Sequence, residues 1–595
     1  MIKILPDSVA NQIAAGEVIQ RPASVIKELI ENAVDAGSTA ISVTVKDAGR
    51  TLIQVTDNGS GMSDTDARLS FERHATSKIT TADDLLQLYT FGFRGEALAS
   101  IASIADVELK SRRHEDETGT QICISASTLV SQETVSCAAG SSFSVRNLFF
   151  NVPARRKFLK SDSVELKHIM NEFQRVALCN PHVDFTLTSN GTTIYNLPKG
   201  NIRQRIAGIF GKSTSANLIS VQVDTSIAKI EGYISKPEQA RKSVGEQFFF
   251  ANNRFFKSAY LQKAVVNAYD QLIQNGMFPA FFLYISVPPE NLDVNIHPTK
   301  IEIKFSEEQT IWQVLNAAVR EALGKFVLAP QIDFETDNRI EIPVIMPDTK
   351  IVIPKLNVDN TYNPFEKEKK NDGFKAEKID KNWQKIYENA NALEPETESD
   401  TPKLFSSPQM LSEKFIQIKD SYIATNSKSG LMIIDQKRAH RRILFEQFLN
   451  NMNAETNCIQ REVFPTTIEL SAMDFITLTE QLDDMLKLGF DIRIFGKNTV
   501  AVHGLPECFE SEDTEKTVRA IIDDLKDDTA DIRRKTKERL ALALAKTAAI
   551  GNKILTASEM SIFTGKLLSC SSPNICPEGK LTLTIITLDE IKTRF

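Results

Sequence analysis

Several things are scarce in this 595-residue sequence, and each scarcity excludes something. Its 7 cysteines (Cys123, Cys137, Cys179, Cys458, Cys508, Cys570, Cys576) are scattered, odd in number and never spaced as CxxC. That excludes a disulfide framework and points to a reducing compartment. No run of about 18 apolar residues occurs, so no membrane span is expected. The opening "MIKILPDSVANQIAAGEV" has no continuous apolar core and does not read as a signal peptide. Positive charge is not in excess either: the net charge is -7 and the pI about 5.8. Any grip on nucleic acid must therefore come from a local basic surface. A cytoplasmic protein is expected.

What is present is ample core material, 42% hydrophobic, in a chain too long for one core. Residues 1 to about 330 mix strand and helix patterns with dense turn signals. From 331 to 404 the texture becomes charged and polar ("NPFEKEKKNDGFKAEKIDKNWQ"), as in a disordered linker. About 75 flexible residues have an r.m.s. span of about 50 Å. From 405 to 595 globular patterns return, with strand-like "SYIATN" and "GLMIIDQ" and helix-like "DIRRKTKERLALALAKTAAIGN".

The helix "RPASVIKELIENAVDAG" has Pro22 near its start and Gly37 past its end. Glu28, Asn32 and Asp35 stand at i, i+4 and i+7 and share one face. A carboxylate and an amide one turn apart suit a water and a hard cation: Glu28 as base, Asn32 as an oxygen ligand for Mg²⁺. The same pattern also suits a plain polar face, and the helix alone does not decide. "AISVTVKDAG" and "RTLIQVTDNGSGM" alternate like a hairpin ending in Asp57, with Gly59 and Gly61 behind it. Those glycines are either a simple turn or room for a ligand while Asp57 accepts from an amino group. "HATSKI" follows, and then "FGFRGEALASIASIAD", a glycine-flanked loop entering an apolar helix, which forms an anion cradle.

Taken together, "NQIAAGEVIQRPASVIKELIENAVDAG", "DNGSGM", "RHATSKI", "FGFRGEALASI" and "LFFNVPARRKFLK" resemble the GHKL ATPases, and within them the MutL-type DNA mismatch-repair proteins. The resemblance is dense over residues 1 to about 305 and looser in the C-terminal lobe. It implies an α/β (α+β) chain: an N-terminal GHKL ATPase sandwich (1–205), a β-α-β transducer domain (206–330), the linker, and a C-terminal α/β dimerisation domain (405–595). It implies ATP and Mg²⁺ as cofactors, with Glu28 as general base, Asn32 as metal ligand and Asp57 reading the adenine amino group. Asp35, Gly59, Gly61, Thr76, Ser77 and Lys78 complete the implied pocket. Gly92, Phe93, Arg94, Gly95, Glu96, Ala97 and Leu98 would lie in the lid over the phosphates. Lys300, after "HP" in "LDVNIHPTKIEIKF", would reach from the second domain to the γ-phosphate, so that nucleotide state controls docking. "GIFGKST", Gly208 to Thr214, is a decoy: a phosphate loop of that spacing needs glycine where Ile206 stands.

Basic clusters at Arg155, Arg156, Lys157 and Lys160, and at Arg254 and Lys257, read equally as a solvated face or as DNA-phosphate contacts without sequence information. Such binding weakens steeply with salt. The resemblance further implies a homodimer whose ATP-closed N-terminal lobes ring a duplex, a MutS-type mismatch sensor as partner, and downstream nuclease and helicase partners. "QREVFP" (Gln460, Val463, Pro465) resembles the family's segment for the DNA polymerase sliding clamp, and equally an ordinary strand entry.

"IIDQKRAHRRILFEQ" has the outline of the family's metal-dependent nuclease motif. Asp435, Gln436 and Glu446 match, but Lys437 and Arg438 replace His-Ala, and Arg441 replaces a glutamate. "AKTAAIGNK" has Lys546 and Thr547 for cysteine and histidine, and "CPEGKLT" has Glu578 for histidine. Protonated lysine and arginine offer no lone pair to a metal. An intrinsic endonuclease and a different GHKL machine remain the alternatives, and the residues favour a nicking-incompetent MutL-type ATPase.

Overall fold

The computed structural model describes residues 15–16, 18–78, 92, 95–241, 245–270, 272–274, 276–293, 303–328, 415–427, 430–454, 459–506, 509, 514–526, 536–551 and 553–593. The expected linker, Phe93, Arg94 and Lys300 lie outside these, as does the side chain of Val463.

Eight strands form the first sheet: β1 (Ala40–Lys46), β2 (Leu52–Asp57), β3 (Asp106–Arg112), β4 (Gly119–Ser125), β5 (Thr128–Val135), β6 (Gly140–Arg146), β7 (Asp184–Ser189) and β8 (Thr192–Leu197). Their order is β5-β4-β3-β6-β2-β1-β7-β8, with β1 and β7 parallel and the other neighbours antiparallel. The β1–β2 hairpin expected from alternation is present, pairing Ile41 with Asp57. Each of these two strands buries every second side chain, Ile41, Val43 and Val45 against Ile53 and Val55. Helices α1 (Pro22–Asp35), α2 (Ala97–Ile104), α3 (Pro153–Phe158) and α4 (Asp162–Cys179) accompany this sheet. Val25, Ile26, Leu29 and Ile30 of α1 sit in one core with Ile169, Met170 and Phe173 of α4.

The second sheet comprises β9 (Leu218–Asp224), β10 (Lys229–Ser235), β11 (Gln247–Ala251), β12 (Arg254–Phe256) and β13 (Phe281–Ser286), ordered β12-β11-β13-β10-β9. "FFFA" and "FFLYI" are buried continuously rather than alternately, because both faces are covered. One face, with Phe248, Phe250, Phe282 and Tyr284, joins the core of the first sheet. The Tyr284 hydroxyl donates to the Leu178 carbonyl across that seam at 2.9 Å. The opposite face packs with Leu261 of α5 (Ala259–Ala268) and Leu315 and Val319 of α6 (Glu308–Leu328). Truncating a buried phenylalanine in such a layer costs about 3–5 kcal/mol. A short ribbon of β14 (Leu292–Asp293) and β15 (Lys304–Phe305) follows.

The C-terminal lobe holds two further sheets. One is β16 (Ile416–Ile418), β17 (Tyr422–Ser427), β18 (Gly430–Asp435) and a late-arriving β22 (Leu583–Thr587). The other is β19 (Ile459–Glu469), β20 (Asp491–Ile494) and β21 (Thr499–Pro506), ordered β19-β21-β20. Helices α7 (Gln436–Ala454), α8 (Thr514–Lys526) and α9 (Thr536–Ala548) share a core of Leu444, Phe448, Ile521, Leu540 and Leu544. Helix α10 (Ala557–Leu568) closes the inner face of the β17–β18 sheet through Met560 and Leu567.

Candidate functional sites

Helix α1 turns its apolar stripe inward, which leaves Glu28, Asn32 and Asp35 facing a cavity of about 1110 Å³. Asp57, Gly61, Thr76, Ser77, Lys78, Gly92, Gly95, Glu96, Ala97 and Leu98 line the same cavity. Residues from four separated segments thus converge on one space.

Local geometry explains two of the glycines. Gly61 has φ +65, and a Cβ there would stand 2.1 Å from the Arg112 carbonyl oxygen. Gly95 has φ +61 and would meet the Ala75 carbonyl oxygen at 2.3 Å. Any side chain at either place would force the cavity wall apart.

Asp57, at the end of β2, is buried. Its Oδ1 accepts from the Gly59 amide (2.8 Å), the Ser38 hydroxyl (3.2 Å) and the Ser141 amide (3.3 Å). These bonds orient the carboxyl and leave Oδ2 for a ligand donor. Burial pushes its pKa above the ordinary aspartate value, against the pull of those donors.

On α1 the oxygens already hold a cation. The Lys78 ammonium donates to Asp35 Oδ2 at 2.5 Å and to Asn32 Oδ1 at 3.2 Å. Asp35 Oδ2 also accepts from the Gly92 amide at 3.2 Å. The donor set is hard oxygen, as a magnesium site requires. Glu28 lies beside Lys27, Oε1 to Nζ 3.8 Å. Sequence reasoning missed His168 and Glu172, which line the cavity from α4; only their i, i+4 spacing in an otherwise mixed helix marked them.

The basic candidates divide. Arg156 and Lys157 are exposed on α3, and Lys160 and Lys257 are exposed too. Arg155 instead spends its guanidinium on the backbone, donating to the carbonyls of Gly16 and Ile19. Arg254 corrects the expectation of a DNA-facing pair: it is only 6% exposed, in the field of Glu31 and Asp35 of α1. An unpaired guanidinium there would be costly, so the acidic face of α1 draws it inward.

In the C-terminal lobe, Arg441, Lys546 and Glu578 come together. Glu578 binds the Arg441 guanidinium directly and lies 3.3 Å from the Lys546 ammonium. Burial raises the Glu578 pKa, but the two cations outweigh it and hold the carboxyl below its ordinary value. Arg438 pairs with Asp435 at 3.2 Å and donates to the Leu581 carbonyl. Glu446 accepts from Arg442 at 3.5 Å and from the Ser571 amide and hydroxyl at 2.8 and 2.7 Å. His440 Nδ1 accepts from the Ile550 amide at 3.1 Å, and burial lowers its pKa. Among the described residues no group of three or more His, Cys, Asp or Glu side chains is placed to hold a metal.

Gln460 and Pro465 lie within β19, whose pairing to β21 is interrupted between Arg461 and Thr466. Phe464 projects there, 84% exposed.

Family models match three stretches: the "Histidine kinase-, DNA gyrase B-, and HSP90-like ATPase" over 20–146, the "DNA mismatch repair protein, C-terminal domain" over 206–324, and the "MutL C terminal dimerisation domain" over 415–554. The DNA mismatch repair protein MutL of Parabacteroides distasonis is 47% identical over 616 residues, covering 100% of this chain and 99% of that one. The chain belongs to the MutL family of DNA mismatch repair proteins. The MutL of Bacteroides fragilis is 45% identical with the same coverage. Among solved structures, the Aquifex aeolicus MutL ATPase domain complexed with ADP is 27% identical, covers 46% of this chain and 94% of that one, and superposes with a TM-score of 0.35. Residues 20–146 of this MutL-family chain are the part that matches the ATPase family model. No helix among the described residues is long and apolar enough to cross a membrane.

Proposed function

We propose that this chain is the ATP-driven, homodimeric matchmaker of mismatch repair, coupling a MutS-type sensor to a nicking enzyme supplied by another protein. The observation that carries this is the pairing of a furnished nucleotide cavity with a C-terminal site closed by its own ion pairs.

In the cavity, Asp57 Oδ2 takes the adenine amino group and Glu28 serves as general base for the attacking water. Asn32 would hold Mg²⁺, whose part when bound is to neutralise phosphate charge. Phosphoryl transfer needs positioning and charge more than covalent chemistry, so this chain's work is to orient the water and exclude bulk solvent. Lys78 must yield Asn32 for the metal to enter. Lys300 senses the γ-phosphate from the second domain, and turnover is slow, as suits a switch.

The outer face of the β16-β17-β18-β22 sheet leaves Ile416, Ile418, Tyr422 and Leu431 exposed. An apolar face of this kind marks an interface, and we assign it to the homodimer. Arg156, Lys157 and Lys257 contact DNA phosphates, and Gln460, Val463, Phe464 and Pro465 meet the sliding clamp. Intrinsic nuclease activity is disfavoured because Arg441 and Lys546 point their cations at Glu578 where a metal's ligands would converge.

The test combines ATP turnover with nicking of supercoiled plasmid in Mn²⁺ or Mg²⁺, with and without ATP and clamp. We expect slow ATP hydrolysis and intact plasmid. Nicking that disappears in Asp435→Ala would overturn the assignment of the C-terminal lobe.

A further inference from the structure

Along the wall of the cavity that Lys27, Glu28 and Glu172 share, a file of charged and aromatic side chains runs from the second domain to Glu28. It begins with Phe255 of β12. The Arg175 guanidinium of α4 lies over its ring, 4.3 Å from the centroid. Arg175 is also ion-paired to Glu172, one turn earlier on α4 and a wall of the nucleotide cavity. Helix α4 packs along α1, and the next charge is Lys27. Its ammonium lies 3.7 Å from Glu31 and 3.8 Å from Glu28, with a side chain only 19% exposed. Arg254, the neighbour of Phe255, faces the same helix from inside the protein.

We propose that Lys27 is a positioning residue for Glu28 in ATP hydrolysis, and that the second domain sets its position through Phe255 and Arg175. The inference rests on the reading of Glu28 as the general base.

Glu28, Glu31 and Glu172 bring three carboxylates to one end of a partly buried space, and like charges so close repel. Lys27 is the cation between them, and it is buried enough that water does not screen it away. Burial works against its charge, but Glu31 and Glu28 raise its pKa above the ordinary lysine value, so it stays an ammonium. An ammonium held between Glu28 and Glu31 restricts where the Glu28 carboxylate can point. Glu172 attracts that ammonium through space and Arg175 opposes it, while Arg175 is held in turn by the ring from β12. A shift of β12 would thus change how firmly Lys27 is drawn toward α4, and with it the aim of Glu28. A base needs aim within a fraction of an ångström, since misplacement by about 1 Å costs about 100-fold in rate. The second domain therefore adjusts hydrolysis without touching nucleotide.

The experiment uses the full chain and measures kcat and KM for ATP, with the dissociation constant of a fluorescent ADP as a binding control. The variants are Lys27→Met, Lys27→Arg, Phe255→Leu, Lys27→Met/Phe255→Leu and Glu28→Ala, each checked by thermal melting. For Lys27→Met we expect kcat to fall about tenfold or more with KM and ADP binding within about twofold, the split that a transition-state effect gives. Lys27→Arg restores most of the loss. Phe255→Leu, which keeps the core filled, lowers kcat about threefold, and in the double variant that loss vanishes because both changes act through one path. Full turnover in Lys27→Met beside a dead Glu28→Ala would overturn the positioning role alone. Losses in Lys27→Met and Lys27→Arg alike, tracking their melting points, would reduce Lys27 to a structural part. A Phe255→Leu loss that persists undiminished in the double variant would cut the link to the second domain. Turnover surviving in Glu28→Ala would remove the base assignment beneath the proposal.

Discussion

The two ends of this chain handle one electrostatic problem in opposite ways. In the N-terminal cavity the oxygens of Asn32 and Asp35 gather around the ammonium of Lys78, which we propose Mg²⁺ displaces. In the C-terminal lobe the positive charges are the substituted residues themselves. Arg441 and Lys546 enclose Glu578, and Arg438 is fastened to Asp435. On the proposed reading, a lysine resting on the α1 oxygens keeps a cation site exchangeable, whereas a lysine and arginine paired to a carboxylate make a permanent internal salt. Retention of a motif's outline therefore says little about its chemistry until the charges are counted.

The largest effect that would break this contrast comes from the first site. Glu28→Ala should lower the ATP hydrolysis rate by about 100-fold or more, within the range for loss of a general base, while ATP still binds. Turnover at the native rate would remove the base assignment. Next in size, Asn32→Ala should weaken Mg²⁺-dependent nucleotide binding by about tenfold, as loss of a metal ligand in a charged site does. Affinity that is unchanged with Mg²⁺ present would refute the ligand role.

The C-terminal half sharpens the comparison through stability. Glu578→Gln leaves Arg441 and Lys546 facing each other and should destabilise the lobe by about 1–3 kcal/mol at neutral pH, read from chemical unfolding. The sign with pH follows from the depressed folded pKa of Glu578. Its contribution is complete above the unfolded carboxyl value and is lost as pH falls through the lower folded value. The gap between native and Glu578→Gln proteins should accordingly close in acid. A gap that is constant with pH would mean that the ion pairs contribute nothing.

The smallest effect concerns Asp57, whose pKa is raised by burial. A protonated carboxyl no longer accepts at both oxygens, so nucleotide affinity should begin to decline at a higher pH than an ordinary aspartate would cause. An Asp57→Asn variant should lack that decline, and a decline of the same shape in the variant would assign it to another group.

How much of this was legible in the sequence differs along the chain. Helix α1 and the β1–β2 hairpin announce themselves by punctuation and by alternation, because each buries one face. The cavity was legible because its short motifs each carry residues with special backbone or charge. Arg254 was not legible: β12 is three residues long, and "ANNRFF" gives no sign that its arginine turns inward toward an acidic helix. The meeting of Arg441 with Lys546 and Glu578 was hidden for another reason. Each substitution was visible alone, but their mutual neutralisation depends on α7, α9 and the loop before β22 being brought together by a core that no local pattern encodes. Likewise the file from Phe255 to Lys27 crosses three elements, and helical spacing shows only the pairs within one helix, Lys27 with Glu31 and Glu172 with Arg175.

The most direct test of the contrast is a count of Mn²⁺ ions bound per chain at equilibrium, with and without a non-hydrolysable ATP analogue, in the native protein and in Asn32→Ala. We expect no tightly bound Mn²⁺ without nucleotide, and one per chain with it, which Asn32→Ala loses. Mn²⁺ held without nucleotide and insensitive to Asn32→Ala would place a working metal site elsewhere and contradict the claim that the C-terminal site is closed by its own charges.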